Sequence, residues 1–341
     1  MPRVGVDATA VSAAGKGHAR SQRKLVEALA ALGRYEVVAY VRTHEAAGLL
    51  PGVERVVIGE GRAVGWEQLG VRRALRKLDA FVTLGDRLPV GAEGRIVVWL
   101  FEVPTHRIAE NRRRGAGWYQ RGSDILTSVL WRRSLAHAGA VVAGSQATAT
   151  ELGGDVPVVY PALDDGFGPG PGREGRYVFH LASSDPRDNT ETVLAAFRRV
   201  DADIELLVGG GLGTREPELR ALAGPRVRFL GRVSDDELVA LYRGALAFVD
   251  VPLYEGFGYQ VLEAMACGAP VVASSTTSIP EVVGDAGLLC DPLDAEAIAA
   301  ALRRVLEDPG DMRERGLAQA SRFTWEQTGE GFAALLDGML R

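Results

Sequence analysis

VPLYEGFGYQVLEAMACGAPVVASSTTSIPEVVGDAGLLCDP, residues 251–292, reads as a strand, a glycine turn, a helix, a glycine stop and another strand. Gly256 and Gly258 flank Phe257 just ahead of a helix that begins near Tyr259. Glycine lets a ligand approach the backbone closely, and the unpaired N–H groups of a helix start face an anion such as a phosphate. Gly268 stops the helix and Pro270 prevents its restart. Two carboxylates, Glu255 and Glu263, would lie about 12 Å apart along one continuous helix. The glycine turn breaks that geometry, leaving Glu255 on the loop and Glu263 in the second helical turn. The two carboxylates can then meet separate parts of one ligand.

Outward from this block the alternation continues in both directions. Upstream lie RYVFHLAS, a helix over 190–199, IELLVGGG, a helix over 215–223, VRFLG, a helix over 234–243 and LAFVDV; downstream, a terminal helical region follows PVVASS. The first half repeats the scheme. VGVDATAV leads through Gly15-Lys16-Gly17 into an apolar-periodic helix over 18–32, which Gly33 closes. EVVAYVR, a strand over 53–58, a helix over 66–77, DAFVTLG, RIVVWLF, a helix over 124–137 and AVVAGS follow. Continuously apolar strands alternating with helices predict parallel sheets covered on both faces. Between the halves, PALDDGFGPGPGREG (161–175) carries five glycines and three prolines in fifteen residues and sustains neither period. The expectation is an α/β protein of two Rossmann-like domains facing across a cleft. The first covers 1–166, completed by a C-terminal helix over 326–341; the second covers 167–325.

Composition narrows the class. The 341 residues suit two domains, and hydrophobic (47%) and charged (24%) fractions are those of a globular chain. No apolar run approaches the roughly 20 residues that span a bilayer. MPRVGVDATAV reads as a first strand, without a signal-peptide core. Cys267 and Cys290 form neither a disulfide framework nor metal spacing, so a reducing cytoplasm is the expected setting. Net charge is −5, but residues 1–166 hold 22 Lys+Arg against 17 Asp+Glu, and the remainder 17 against 27. Arg107, Arg112, Arg113, Arg114, Arg121, Arg132 and Arg133 make the first half basic. Solvated helix faces explain such a stretch, as would an anionic acceptor or peripheral contact with a membrane surface.

Residues 251–292 resemble the E-x7-E signature of family-four retaining glycosyltransferases of GT-B architecture. GVDATAVSAAGKGHARSQRKLVEAL, AVVAGSQATATEL, VYPALDDGF, RVRFLGRVSDDELVALYRGALAFV and FTWEQTGEGF resemble further family segments in the expected order, so nearly the whole chain is covered. The resemblance implies a nucleoside-diphosphate sugar as co-substrate and same-face transfer of a hexose to a saccharide, lipid-linked or natural-product hydroxyl. It places Glu255 beside the transferred sugar as the catalytic candidate. Backbone amides of Gly256, Phe257, Gly258 and Tyr259 hold the sugar, Val261 and the helix start receive the diphosphate, and Glu263 accepts from the ribose. Gly15 and Gly17 close over the diphosphate from the first domain. The main catalytic task is then to stabilise the departing diphosphate.

Two departures from the family pattern stand out. The run after the first strand of the second domain is Ala182-Ser183-Ser184-Asp185-Pro186-Arg187-Asp188-Asn189, with Asp188 where a lysine usually meets the diphosphate. Arg187 can substitute, since a guanidinium clamps phosphate bidentately, with Ser183 also in the donor site; the plainer expectation is that Asp188 and Asn189 cap the helix from Thr190. On the acceptor side, Phe101-Glu102 replaces a His-Asp pair, making Glu102 and His106 the acceptor candidates. Tyr259 and Gln260 replace the common apolar residue and proline and would tune the sugar, while Asp250 stands without a physical account.

Other signals point elsewhere only weakly. Asp235-Asp236-Glu237 after Ser234 looks like a metal cluster, but Ser234 and Glu237 make a capping box. No Asp-x-Asp motif stands at a strand end, so no obligatory metal is expected, nor a nucleic-acid partner. Gly209–Gly213 does not match G-x-G-x-x-G and is too weak to argue for a dinucleotide; an oxidoreductase needs that fingerprint after the first strand, where Gly15-Lys16-Gly17 lacks the third glycine. Lysines occur at 16, 24 and 77 alone, which excludes a phosphorylase with its pyridoxal lysine in the second domain. A nucleotide-sugar epimerase shares the shape and leaving-group chemistry but not the 251–292 block. The alternative from another class is a nucleotide-sugar-binding protein with weak or lost transfer, degenerate at Asp188.

Overall fold

The computed structural model describes residues 1–12, 17–58, 70–84, 95–105, 122, 124–125, 127, 131 and 135–341. The chain divides into two compact units, Met1–Ala162 with Thr324–Arg341, and Leu163–Phe323.

The first unit holds six strands: β1 (Arg3–Asp7), β2 (Glu36–Val41), β3 (Glu54–Val57), β4 (Ala80–Thr83), β5 (Ile96–Leu100) and β6 (Ala140–Ala143). They pair in parallel in the order β3-β2-β1-β4-β5-β6. β4 and β5 are buried along their whole length, as strands covered on both faces must be. Helix His18–Ala31 follows β1; Gly33, at φ 64°, takes the left-handed turn that ends it. The terminal helix Trp325–Leu340 belongs to this unit. Phe332 is fully buried with its ring 5.0 Å from Trp99, and Tyr35 donates to Asp337 at 2.6 Å. Helix Val71–Leu75 lies within the expected 66–77; the start of that span and half of 124–137 lie outside the described residues.

The second unit holds β7 (Tyr177–Leu181), β8 (Glu205–Gly209), β9 (Val227–Gly231), β10 (Ala247–Asp250), β11 (Val271–Ser274) and β12 (Leu288–Cys290), in the order β12-β11-β10-β7-β8-β9. All pair in parallel. Counted from its own first strand, this sheet has the same order as the first, the doubly wound Rossmann arrangement. Two elements go beyond the sequence expectation: the short helix Ile279–Val283 and β12, both inside the stretch read only as following PVVASS.

Each order has a switch point, β1/β4 in the first unit and β7/β10 in the second, where successive connections leave in opposite directions. Ligands of open α/β sheets bind in the crevice this creates beyond the carboxyl ends of the strands. In the first unit that edge carries Asp7, which accepts from Thr9 N–H at 3.0 Å and Thr83 Oγ1 at 3.2 Å. In the second it carries the loops 182–189 and 251–258.

Candidate active site

The loop after β10 is shaped by its glycines and by a buried aromatic. Gly258 has φ 103°, and a Cβ there would stand 2.8 Å from Ile279 Cδ1. Phe257 is buried, its ring 5.1 Å from Tyr259 and 5.7 Å from Phe323, which pins the turn to the body of the unit. Helix Tyr259–Ala266 then starts with no side-chain cap and no acidic residue in its first turn. The first turn of a helix points its N–H groups outward and carries the positive end of the helix dipole. The other end closes as a Schellman motif: Gly268 N–H bonds Met265 O at 2.9 Å and Ala269 N–H bonds Ala264 O at 2.9 Å.

Glu255 is half-buried at the head of this turn and held by its backbone. Its N–H donates to Thr277 Oγ1 at 3.2 Å, and its carbonyl accepts from Ser278 Oγ at 2.9 Å. Both hydroxyls come from the loop after β11. Thr277 has φ 57°, a costly conformation for a β-branched residue. The other non-glycine residue with positive φ among the described residues is Asn189, also φ 57°, at the opposite side of the switch point. Asn189 Nδ2 donates to Val251 O at 2.9 Å and Pro292 O at 2.7 Å, and its Oδ1 accepts from Thr192 Oγ1 at 2.7 Å. One amide thus ties the loops after β7, β10 and β12 together.

The loop after β7 satisfies its own donors. Asp188 Oδ2 accepts from Ser183 N–H at 2.5 Å, and Asp185 N–H donates to Ser183 Oγ at 3.0 Å. Arg187 is clasped by Asp185 through Nε at 3.0 Å and Nη2 at 2.9 Å, with its guanidinium carbon 5.9 Å from the centre of the Tyr254 ring. The capping expectation is corrected here. Asn189 stands at the N-cap of helix Thr190–Phe197 but makes no side-chain cap bond, and Asp188 is spent on Ser183. Beneath them His180 is fully buried, its pKa lowered to about 4 by desolvation. Since Val249 O at 2.9 Å can only accept, Nδ1 carries the proton and Nε2 accepts from Thr190 Oγ1 at 3.0 Å. The neutral imidazole anchors the helix start to β10.

The electrostatics of the crevice are acidic. Asp250, at the end of β10, is 5% exposed, and its carboxyl is pushed well above the usual carboxylate range, first by burial and then by Glu255 and Asp188 facing it. Asp188 is also raised, by burial and more weakly by Asp185, against its bonds to Ser183 and the nearby Arg187. Glu263 is 6% exposed and accepts from Tyr242 Oη at 3.1 Å, so it lies largely under the helix. Val261 is fully buried, and Gln260 Oε1 is a buried acceptor with no hydrogen-bond partner among the described residues.

Among the sequence candidates, Ser183, Arg187, Glu255, Gly256, Phe257, Gly258, Tyr259, Val261 and Glu263 all belong to one unit and to the two loops and the helix at its switch point. In the first unit, Gly17 is the N-cap of helix His18–Ala31 at φ 56°, ψ −115°, a conformation reserved for glycine. Glu102 is half-buried in the bend after β5. Gly15 and His106 lie outside the described residues. Sequence reasoning missed Thr277, Ser278 and Asn189 as supports of the site; the hydroxyl run Ser274–Ser278 after a strand was the available signal. Among the described residues no group of three or more His, Cys, Asp or Glu is arranged to hold a metal ion. The Asp235–Glu237 run is a helix first turn with the expected capping box: Ser234 N–H donates to Glu237 Oε2 at 2.8 Å, and Glu237 N–H to Ser234 Oγ at 3.3 Å.

Residues 175–308 match the family described as glycosyl transferases group 1. The O-antigen chain mannosyltransferase B of Escherichia coli is 42% identical over 163 residues, 44% of this chain and 42% of that protein. The phosphatidyl-myo-inositol mannosyltransferase of Mycolicibacterium smegmatis is 39% identical over 167 residues, 45% of this chain and 42% of its own. The matches thus span less than half the length of these curated relatives. Among solved structures, sucrose-phosphate synthase from Thermosynechococcus elongatus aligns over 99% of both chains with a TM-score of 0.75 at 20% identity. HepE of Anabaena, solved with UDP and glucose, aligns over 99% of this chain and 100% of its own with a TM-score of 0.73 at 16% identity. The fold is that of the GT-B glycosyltransferases.

Proposed function

We propose, from the match of residues 175–308 to the glycosyl transferases group 1 family, that the chain is a retaining hexosyltransferase using a nucleoside-diphosphate sugar. The observation that carries the reading is the uncapped helix Tyr259–Ala266, entered through the Gly256–Gly258 turn with Glu255 held at its head. N–H groups of the first helical turn bind the diphosphate and stabilise its charge as the bond to the sugar breaks. The acceptor oxygen then attacks from the face the diphosphate leaves, and the leaving phosphate takes the acceptor's proton. Glu255 contacts the sugar hydroxyls and orients the ring. Glu263 reaches the ribose by giving up part of its burial against Tyr242.

The second unit is the donor domain and the first the acceptor domain, with Glu102 as its acceptor-contacting residue. Mannosyltransferases among the relatives make a nucleoside-diphosphate mannose the first donor to try, and saccharide or lipid-linked hydroxyls the first acceptors. Arg187 serves the diphosphate by exchanging Asp185 for phosphate oxygens. A second reading, a nucleotide-sugar-binding protein with weak or lost transfer, draws on that same loop, where Arg187 is already paired and Asp188 stands for a cation.

The test is a panel of GDP-, UDP-, ADP- and TDP-hexoses with saccharide acceptors, followed by nuclear magnetic resonance of the product. The expected product keeps the donor's anomeric configuration. An inverted product refutes retention, and tight donor binding without any product favours the binding-protein reading.

A further inference from the structure

Asp250 is a buried acid that the site described so far does not use. Its strand neighbours Val249 and Val251 turn into the apolar core of the unit, while Asp250 ends β10 on the other face, at the carboxyl edge of the sheet and beside the switch point. Glu255 faces it from the glycine loop, Asp188 from the loop after β7, and Tyr242 from helix Asp235–Gly244. No cation faces it and no hydrogen bond reaches its carboxyl among the described residues. An unpaired polar group at this burial costs stability that a valine or phenylalanine would not. The missing partner is therefore sought in what binds at the switch point.

We propose that Asp250 is a further substrate-contacting residue of the donor site, its carboxyl hydrogen-bonding a hydroxyl of the transferred hexose beside Glu255. The assignment rests on the glycosyltransferase reading above. Charge decides which part of the donor it meets. A phosphate oxygen is an anion and is repelled by the Glu255 carboxylate that faces Asp250. A sugar hydroxyl is neutral, and it both donates and accepts. Burial keeps Asp250 protonated, so it gives its O–H to the sugar oxygen, and the sugar hydroxyl gives its own proton to the Glu255 carboxylate. The chain acid–hydroxyl–carboxylate satisfies every group in it, and it discriminates against a hexose lacking that hydroxyl or presenting it on the other face.

Calorimetric titration of the full chain tests this, with Asp250→Leu and Asp250→Asn beside the wild type. The probes are GDP-mannose and UDP-glucose, the bare nucleotides GDP and UDP, and monodeoxy analogues of whichever donor binds. The bare nucleotide binds all three proteins alike. The intact donor binds Asp250→Leu about 10-fold or more weakly, with Asp250→Asn between, because an amide keeps a donor and an acceptor. One monodeoxy donor binds the wild type as weakly as the intact donor binds Asp250→Leu, and combining the two losses adds nothing further. Undiminished donor binding by Asp250→Leu, or additive losses for every deoxy analogue, overturns the assignment while leaving the transferase reading in place. Failure of the wild type to bind any nucleotide or nucleotide sugar removes both.

Discussion

The backbone of Glu255 is tied to Thr277 and Ser278, and replacing the carboxylate leaves both of those bonds in place. Glu255→Gln is expected to keep the melting temperature of the wild type while lowering transfer by about 100-fold or more, the scale of a lost transition-state contact. Unchanged turnover in a folded variant would remove Glu255 from the chemistry. Asp250 makes the complementary prediction for stability. Its folded-state pKa lies above the unfolded value, so the native protein keeps the proton after the unfolded chain has released it. That difference leaves stability intact below about pH 4 and erodes it as pH rises from there. Asp250→Asn should therefore melt higher than the wild type at about pH 7, with the gain shrinking toward pH 4. A gain that does not vary with pH would contradict the buried neutral acid. At this scale the sequence was legible where residue type announces its use. Glycines around Phe257 and an acid ahead of a helix carry their own signal. Asn189 and Thr277 do not, because a left-handed residue that is not glycine has no compositional mark, and their hydrogen bonds join segments up to 103 residues apart.

Elements repeat the lesson in another form. The helix Tyr259–Ala266 was legible to its ends because a glycine stands at each. Gly258 is there for its conformation as well as its size, so Gly258→Ala meets both a positive φ and the Ile279 side chain. It should cost about 1–3 kcal/mol in denaturant unfolding and weaken binding of bare nucleotide, which the helix start receives. A neutral effect on both would show that the turn does not need its present shape. β12, three residues long, was not legible, since neither alternation nor an apolar run can register over Leu288–Cys290. The loop 182–189 was read as a helix cap because Asp and Asn so often serve as one. The chain instead spends Asp188 on Ser183 and Asn189 on the carbonyls of two other loops, tertiary partners that local sequence does not contain.

At the scale of the whole molecule, two sheets of one strand order follow from one repeated pattern, apolar strands joined by helices. The pattern gives the class, but the order in which the strands lie comes from crossovers that each sheet must close in three dimensions. The terminal helix Trp325–Leu340 returns to the first unit to bury Phe332 against Trp99. Phe332→Ala should destabilise that unit by about 3–5 kcal/mol, read as a downward shift of its unfolding transition; an unchanged transition would show that the helix contributes little there. The most direct test of the whole account is release of nucleoside diphosphate from a donor panel led by GDP-mannose, with acceptor present, in wild type and Glu255→Gln. The account predicts release from one donor, dependent on acceptor and lost in Glu255→Gln. Release that survives the substitution, or none from any donor, would contradict it.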